Sequence, residues 1–222
     1  VALAEAGRYT EALDVAVEGA AVARRCGVEK TRGAFLVAIS ADMMFWLGRW
    51  SELARLSADA AGPFWPIDAT ALPLALEQLP TAQGRFADAE RRLGEARRAF
   101  GSAGFAASRA RIHLHAAEQH IWQDRGAVAA ATVDDAWRSL GDVDDGLLLT
   151  RLVSVGLRAR ADAGSGAPEP EVPVEELLER MRSVTPTPAI VAHAATAEAE
   201  LCRLSGIHDA ERWAAAATAW AR

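Results

Sequence analysis

With 222 residues, 51% of them hydrophobic and 24% charged, the chain can bury a sizeable core, as one or two compact domains or one continuous array. Its net charge of −6 leaves no basic surface of the kind that displaces counterions from nucleic acid, which argues against direct DNA binding by this segment. The sequence shows no signal-peptide pattern and no apolar run long enough for a bilayer. Cys26 and Cys202 sit in alanine-rich helical contexts and read as reduced, small buried hydrophobes, so the expected location is the cytoplasm with no membrane contact.

The elements, in chain order, are punctuated by glycine. The segment Val1 to Ala6 reads as the tail of a helix, and Gly7-Arg8-Tyr9-Thr10-Glu11-Ala12 opens the next, from Tyr9 to Arg25. Related phrases return at Gly48-Arg49-Trp50-Ser51-Glu52-Leu53 and Gly84-Arg85-Phe86-Ala87-Asp88-Ala89, with a weaker copy at Gly126-Ala127-Val128-Ala129-Ala130-Ala131. These glycines are 41, 36 and 42 residues apart, and Gly164 and Gly206 extend the series. A period of this size marks supersecondary units that bury their apolar faces only by stacking on one another. Each glycine ends one helix, A, and precedes another, B, because it tolerates the left-handed conformation at a helix C-terminus.

The second unit then has A from Glu29 to Leu47 and B from Trp50 to Ala60. The segment Ala61-Gly62-Pro63-Phe64-Trp65-Pro66 is a loop, with Trp65 the tryptophan most exposed to solvent. The third unit runs A from Ile67 to Gln83, kinked or late-starting at Pro73 and Pro80, and B from Arg85 to Phe100. The fourth has A from Ala103 to Gln123 and B from Val128 to Leu140, and the fifth A from Asp145 to Ala163 and B from Val174 to Ser183. Between the last two helices, residues 164–173 form a flexible Gly/Pro-rich insertion. The sixth has A from Pro188 to Leu204 and B from Asp209 to Ala221. No stretch alternates with β-branched enrichment, so the expected fold is all-α: a right-handed α-solenoid of antiparallel helix pairs over residues 1–222, as a single domain. From its first and last helices the chain is expected to be a fragment of a longer one. Trp213 and Trp220, seven apart on the last helix, await a following helix or support a homodimer.

The Gly-x-aromatic-x-x-Ala hinge resembles the tetratricopeptide repeat, here lengthened to about 40 residues. The phrases Leu47-Gly48-Arg49-Trp50-Ser51-Glu52-Leu53-Ala54 and Ala197-Glu198-Ala199-Glu200-Leu201, leading to Trp213-Ala214-Ala215-Ala216, resemble the helical-repeat region of large LuxR-type bacterial regulators, the class of the maltose-regulon activator. The alanine-rich composition, with Lys30 its sole lysine, fits a GC-rich bacterial genome. The resemblance implies a nucleotide-binding ATPase module before the repeats and a DNA-binding helix-turn-helix after them. No Gly-x-x-x-x-Gly-Lys-Ser/Thr occurs in the chain itself.

Counting back from each closing glycine, positions 12, 9 and 5 are mostly apolar, as a core stripe requires. Position 6 is always polar (Asp42, Gln78, His120, Arg158, Glu200), and position 13 gives Phe35, Ala71, His113, Arg151 and His193. In tetratricopeptide-like folds these two positions line the concave groove. The expected binding residues are therefore Asp42, Gln78, His113, His120, Gln123, Arg151, Arg158, His193, Glu200 and Arg203, unless these are ordinary solvated helix faces. Such a wall suits an anionic peptide, a polyol or an acidic partner segment.

Other constellations carry less. His113 and His120 are about 10 Å apart along one helix, too far to share a metal. Asp142-Val143-Asp144-Asp145-Gly146 begins like a calcium loop but lacks its later glutamate, and helix capping explains it better. Glu118 near His120 has no accompanying nucleophile. The chain is thus expected to be no enzyme, to need no cofactor and to bind a protein partner or small-molecule effector while coupling to the other modules of a regulator. The rival expectation is a general interaction scaffold unrelated to transcription.

Overall fold

A computed structural model of the chain describes residues 2–59, 71–100, 105–141 and 143–221. Among these residues all regular structure is helical: α1 (Ala2–Glu5), α2 (Tyr9–Arg25), α3 (Ala34–Trp46), α4 (Trp50–Asp59), α5 (Ala71–Ala82), α6 (Phe86–Phe100), α7 (Ala106–Trp122), α8 (Gly126–Leu140), α9 (Gly146–Ala163), α10 (Val174–Ser183), α11 (Pro188–Leu204) and α12 (Ala210–Trp220). A π-helical turn, Glu29–Gly33, leads into α3. The Ala61–Pro66 loop with Trp65, the first turn expected from Ile67, and Asp142 all lie outside the described residues.

The glycines do what the period implies. At Gly48 (φ +69°), the Arg49 amide donates to the Met44 carbonyl at 2.8 Å and the Gly48 amide to Phe45 at 3.1 Å. This paired bonding of a left-handed residue and its successor satisfies the last carbonyls of α3 and turns the chain within a few residues. The same pair recurs at Gly84, where Arg85 donates to Pro80 at 2.8 Å and Gly84 to Thr81 at 3.0 Å. It recurs again at Gly206, with Ile207 on Cys202 at 2.8 Å and Gly206 on Arg203 at 3.0 Å.

The fourth hinge is not at Gly126. The left-handed residue is Asp124 (φ +57°), with Arg125 bonded to His120 and Asp124 to Ile121, both at 3.0 Å. Aspartate reaches this region more easily than most residues because its short side chain bonds locally. Gly126 instead begins α8, and a Cβ there would meet the Ala163 backbone nitrogen at 2.7 Å and the Ala159 carbonyl at 3.0 Å. The small residue five after the hinge is accordingly Ala129, fully buried, and not the exposed Ala131. Its counterparts Ala12, Leu53 and Ala89 are buried as well.

Each of three hinges is clipped by an arginine to a carboxylate one turn on: Arg8 to Glu11, Arg49 to Glu52 (2.6 Å) and Arg85 to Asp88 (2.7 Å). Arg8 holds the Glu11 carboxyl below its usual range, and Arg49 does the same to Glu52. At the second hinge Trp50 stacks on Phe45 (centroids 6.0 Å, 13°) and its indole N–H donates to the Phe45 carbonyl at 3.2 Å. Cys26 is exposed, contrary to the expected burial, because it occupies the C-cap of α2, where the helix ends at Gly27. Cys202 is half-buried, and both thiols are free.

The contacts divide the chain into two compact units, residues 1–4 with 8–104 and residues 5–7 with 105–222. In the first, α2 packs on α3, α3 on α5 and α5 on α6. Its core gathers Ala38, Ala41, Leu53, Leu72, Ala75, Leu76 and Leu79, with a smaller cluster of Ala12, Leu13 and Met43. In the second, α7 packs on α8, α8 on α9, α9 on α11 and α11 on α12, and α7 also meets α9. Leu114, Ala117, Ala130, Val133, Leu140, Leu152, Val153 and Leu157 are at its centre. Within each unit successive A helices are neighbours: α3 beside α5, and α7 beside α9 beside α11.

The segment after α9 starts as a 3-10 turn, Gly164–Gly166. Val172 packs on the core of the second unit, and Glu171 pairs with Arg138 at 2.8 Å. Asp145 caps α9 by accepting from the Leu148 amide at 3.0 Å and also accepts from Arg111 at 2.6 Å, so the acidic run is used in capping.

Two glycine substitutions separate the two uses of glycine. Nothing lies within 4 Å of a Cβ on Gly84, so Gly84→Ala is expected to lose only the left-handed backbone preference, about 1–2 kcal/mol. Gly126→Ala must push α8 off the end of α9 and should cost clearly more in urea unfolding. An equal or smaller loss at Gly126 would contradict the close approach.

Candidate functional site

The ten expected residues fall in both units. Asp42 on α3 and Gln78 on α5 belong to the first, where Gln78 Nε2 donates to Asp42 Oδ1 at 2.6 Å and so ties neighbouring A helices together. The other eight are in the second unit. His113 and His120 are half-buried on α7. Gln123 stands at the C-cap of that helix, and its side-chain oxygen accepts from Arg125 at 3.2 Å. With the hinge at Asp124, the positions 6 and 13 residues before it become Glu118 and Arg111 in place of His120 and His113.

Across α7, α9 and α11 the remaining residues assemble into two polar rungs. In the first, Arg151 on α9 donates to Glu118 on α7 at 3.1 Å. Burial, helped by the nearby charge of Arg151, pushes the His193 imidazole on α11 down to about 3, so the ring is neutral near pH 7. The indole of Trp220 on α12 meets that ring edge-to-face, with centroids 4.7 Å apart, and donates to Thr196 Oγ1 at 3.0 Å. Trp220 therefore turns back onto α11. Trp213 is 41% exposed.

The second rung sits two turns along. The Arg158 guanidinium lies over the Trp122 ring, 5.4 Å from its centroid. Arg203 on α11 reaches back to α9, donating to Asp162 Oδ1 at 2.6 Å and to the Arg158 carbonyl at 3.2 Å. It also donates from Nε to Glu200 Oε2 at 2.7 Å. Burial pushes the Glu200 carboxyl up, against the pull of Arg203 and Arg158. Glu118, Trp122, Asp162 and Trp220 are the participants that the glycine alignment missed. Trp122 occupies the position two before its hinge residue, as Trp46 does before Gly48, and that shared place was the available signal.

Behind this face, α8 is fastened to α9 by a buried pair. Arg160 Nη2 donates to Asp134 Oδ1 at 2.8 Å and Oδ2 at 3.1 Å. Arg180 on α10 lies over Trp137, 5.5 Å from the centroid. Among the described residues no group of three or more His, Cys, Asp or Glu side chains is gathered as a metal site requires, and no helix is long and apolar enough to cross a membrane. Comparison with protein-family models, with curated proteins and with solved structures finds no match to this chain.

Two outcomes check this geometry. Asp134→Ala leaves the Arg160 charge buried without its carboxylate and is expected to cost about 3–5 kcal/mol in chemical denaturation. Replacing both, as Asp134→Leu with Arg160→Met, should recover most of that loss. His193 is neutral when folded, whereas the unfolded chain takes up a proton there below pH 6.5. Stability should therefore fall as pH drops from 6.5 towards 3, by up to about 2 kcal/mol at pH 5. Thermal melts of His193→Gln should show a smaller loss between pH 7 and pH 5 than wild type, and an identical loss would count against burial of the ring.

Proposed function

We propose that this chain is an effector- or partner-binding helical-repeat segment of a bacterial transcriptional regulator. The observation that carries the binding half is the polar surface built by α7, α9 and α11. Its side chains sit at recurrent places on successive A helices, differ in identity from helix to helix, and include groups open to solvent. Arg158 has 42% of its side chain exposed and Trp122 is 57% exposed. A layer serving only to hold helices together would be expected to use apolar contacts there, as the opposite faces of the same helices do. The transcriptional half is supported by the resemblance of the hinge phrases to LuxR-type regulators. On this reading, occupancy of the surface alters the contacts between neighbouring A helices and is passed to flanking ATPase and DNA-binding modules, in the cytoplasm. The surface binds and does not catalyse.

Thermal-shift screening and calorimetric titration of the chain against sugars, nucleotides, amino acids and acyl compounds tests the binding half. The expected result is a stabilising ligand whose effect is lost in the double variant Arg158→Ala, His120→Ala, with circular dichroism unchanged. A folded chain that neither responds to any class nor captures the other modules of its own full-length protein would overturn it. The complete gene tests the other half: the expected outcome is a Gly-x-x-x-x-Gly-Lys-Ser/Thr motif upstream and a helix-turn-helix downstream, and the lack of both would remove the link to transcription.

A further inference from the structure

The arginines of the α7–α9–α11 surface are not equivalent. Arg151 is paired with Glu118 through Nη2 at 3.1 Å, and with its side chain 19% exposed its Nε is buried away from any incoming group. Arg203 is held by two carboxylates, Asp162 at 2.6 Å and Glu200 at 2.7 Å. Arg158 has only a loose approach to a carboxylate: its Nε stands 4.0 Å from Asp162 Oδ2, beyond hydrogen-bonding distance. The same Asp162 is already engaged by Arg203 through its other oxygen. Among the described residues the Arg158 guanidinium donates no hydrogen bond, although it is the most exposed of the three arginines. The guanidinium lies over the Trp122 ring, 5.4 Å from its centroid. A cation–π contact of this kind holds a guanidinium near the ring without using up its forked N–H donors.

We infer that Arg158, steadied by Trp122, is the anchor for a carboxylate supplied by the ligand of this surface, an inference that deepens the binding function proposed above and rests on it. A planar carboxylate matches the two parallel N–H groups of a guanidinium edge, and a charge-assisted pair of this kind is both stronger and more directional than a neutral hydrogen bond. Arg203 contributes from behind. By holding Asp162 it keeps the nearest internal carboxylate from closing onto Arg158, so the donors stay open to an incoming group. The carboxylate belongs either to an acidic side chain of a partner segment or to a free organic acid. In both cases the chemistry at Arg158 is the same.

Calorimetric titration of the chain with an acetylated, amidated glutamate-rich hexapeptide, with glutarate, and with inorganic phosphate tests the assignment. Binding of either carboxylate probe, weakened about tenfold or more by Arg158→Gln and by Trp122→Leu, is the expected result. Arg158→Lys keeps the charge but not the fork and should fall between wild type and Arg158→Gln. Preference for the peptide would identify a protein segment as the source, and preference for glutarate a free acid. All variants alter exposed side chains, and unchanged circular dichroism keeps a loss from being read as unfolding. The assignment is overturned if neither carboxylate binds at millimolar concentration, if phosphate binds more tightly than both, or if Arg158→Gln binds as wild type does. A non-acidic compound bound equally by wild type and Arg158→Gln would leave the binding function standing while removing the carboxylate anchor.

Discussion

Every repeated feature of this chain depends on one backbone constraint: a residue held at positive φ at the end of each A helix. After α3, α5, α7 and α11 the paired bonds it makes possible close the last turn, and the next helix begins within four residues of it and packs on the one just ended. Placement of the left-handed residue therefore decides which side chains enter the core. The alanine or leucine five positions on is buried at Ala12, Leu53, Ala89 and Ala129 because the hinge puts it there. Arginine after the left-handed residue and a carboxylate one turn later reinforce three of these corners from outside. Their exposure means that they orient the turn more than they stabilise it.

Short side chains between the helices are the second consequence. Alanine at Ala110, Ala117, Ala129, Ala136, Ala159 and Ala197 is fully buried and lets helix axes approach closely. Such closeness leaves the A-helix layer of the second unit able to hold long polar side chains across neighbouring helices. Arginine suits this role because its planar fork joins two partners at once: Arg203 bridges Asp162 and Glu200, where a lysine would offer a single compact charge. With Lys30 the sole lysine of the chain, arginine is the cation put to structural use in the cross-helix rungs.

Much of the helical layout was legible in the sequence, since glycine at the hinges, Pro173 before α10 and Pro188 at the start of α11 mark boundaries by mechanisms confined to a few residues. The described bounds of α2, α10 and α11 coincide with those expected. The fourth hinge was misplaced by two residues because Asp124 supplies the left-handed backbone that pattern reading assigns to glycine, while Gly126 is there for close packing. That slip hid Glu118, which pairs with Arg151 at the place where His120 had been expected. The exposure of Cys26 was hidden for a related reason: composition suggests burial, whereas its place at a helix end decides otherwise. The rungs were legible as candidates but not as pairs. Which carboxylate an arginine takes depends on the distance between helices, and no single-helix periodicity contains that distance.

The pairing pattern itself gives the surface its asymmetry. If each cation had the same share of the available carboxylates, the three-helix face would be an evenly neutralised lattice with nothing left to recognise a ligand. Instead Asp162 is drawn to Arg203, Glu118 to Arg151, and Glu200, whose burial disfavours its charge, is held by Arg203 as well. Two carboxylates thus converge on Arg203 while Arg158, a neighbour whose carbonyl Arg203 also holds, has an aromatic face and only a distant carboxylate, Asp162 at 4.0 Å. An excess of partners on one arginine is what leaves the donors of the other available. Because Arg203 is on α11 and Asp162 and Arg158 are on α9, the openness of Arg158 is tied to the contact between those helices. A ligand bound at that edge and the packing of α9 on α11 would then each sense the other.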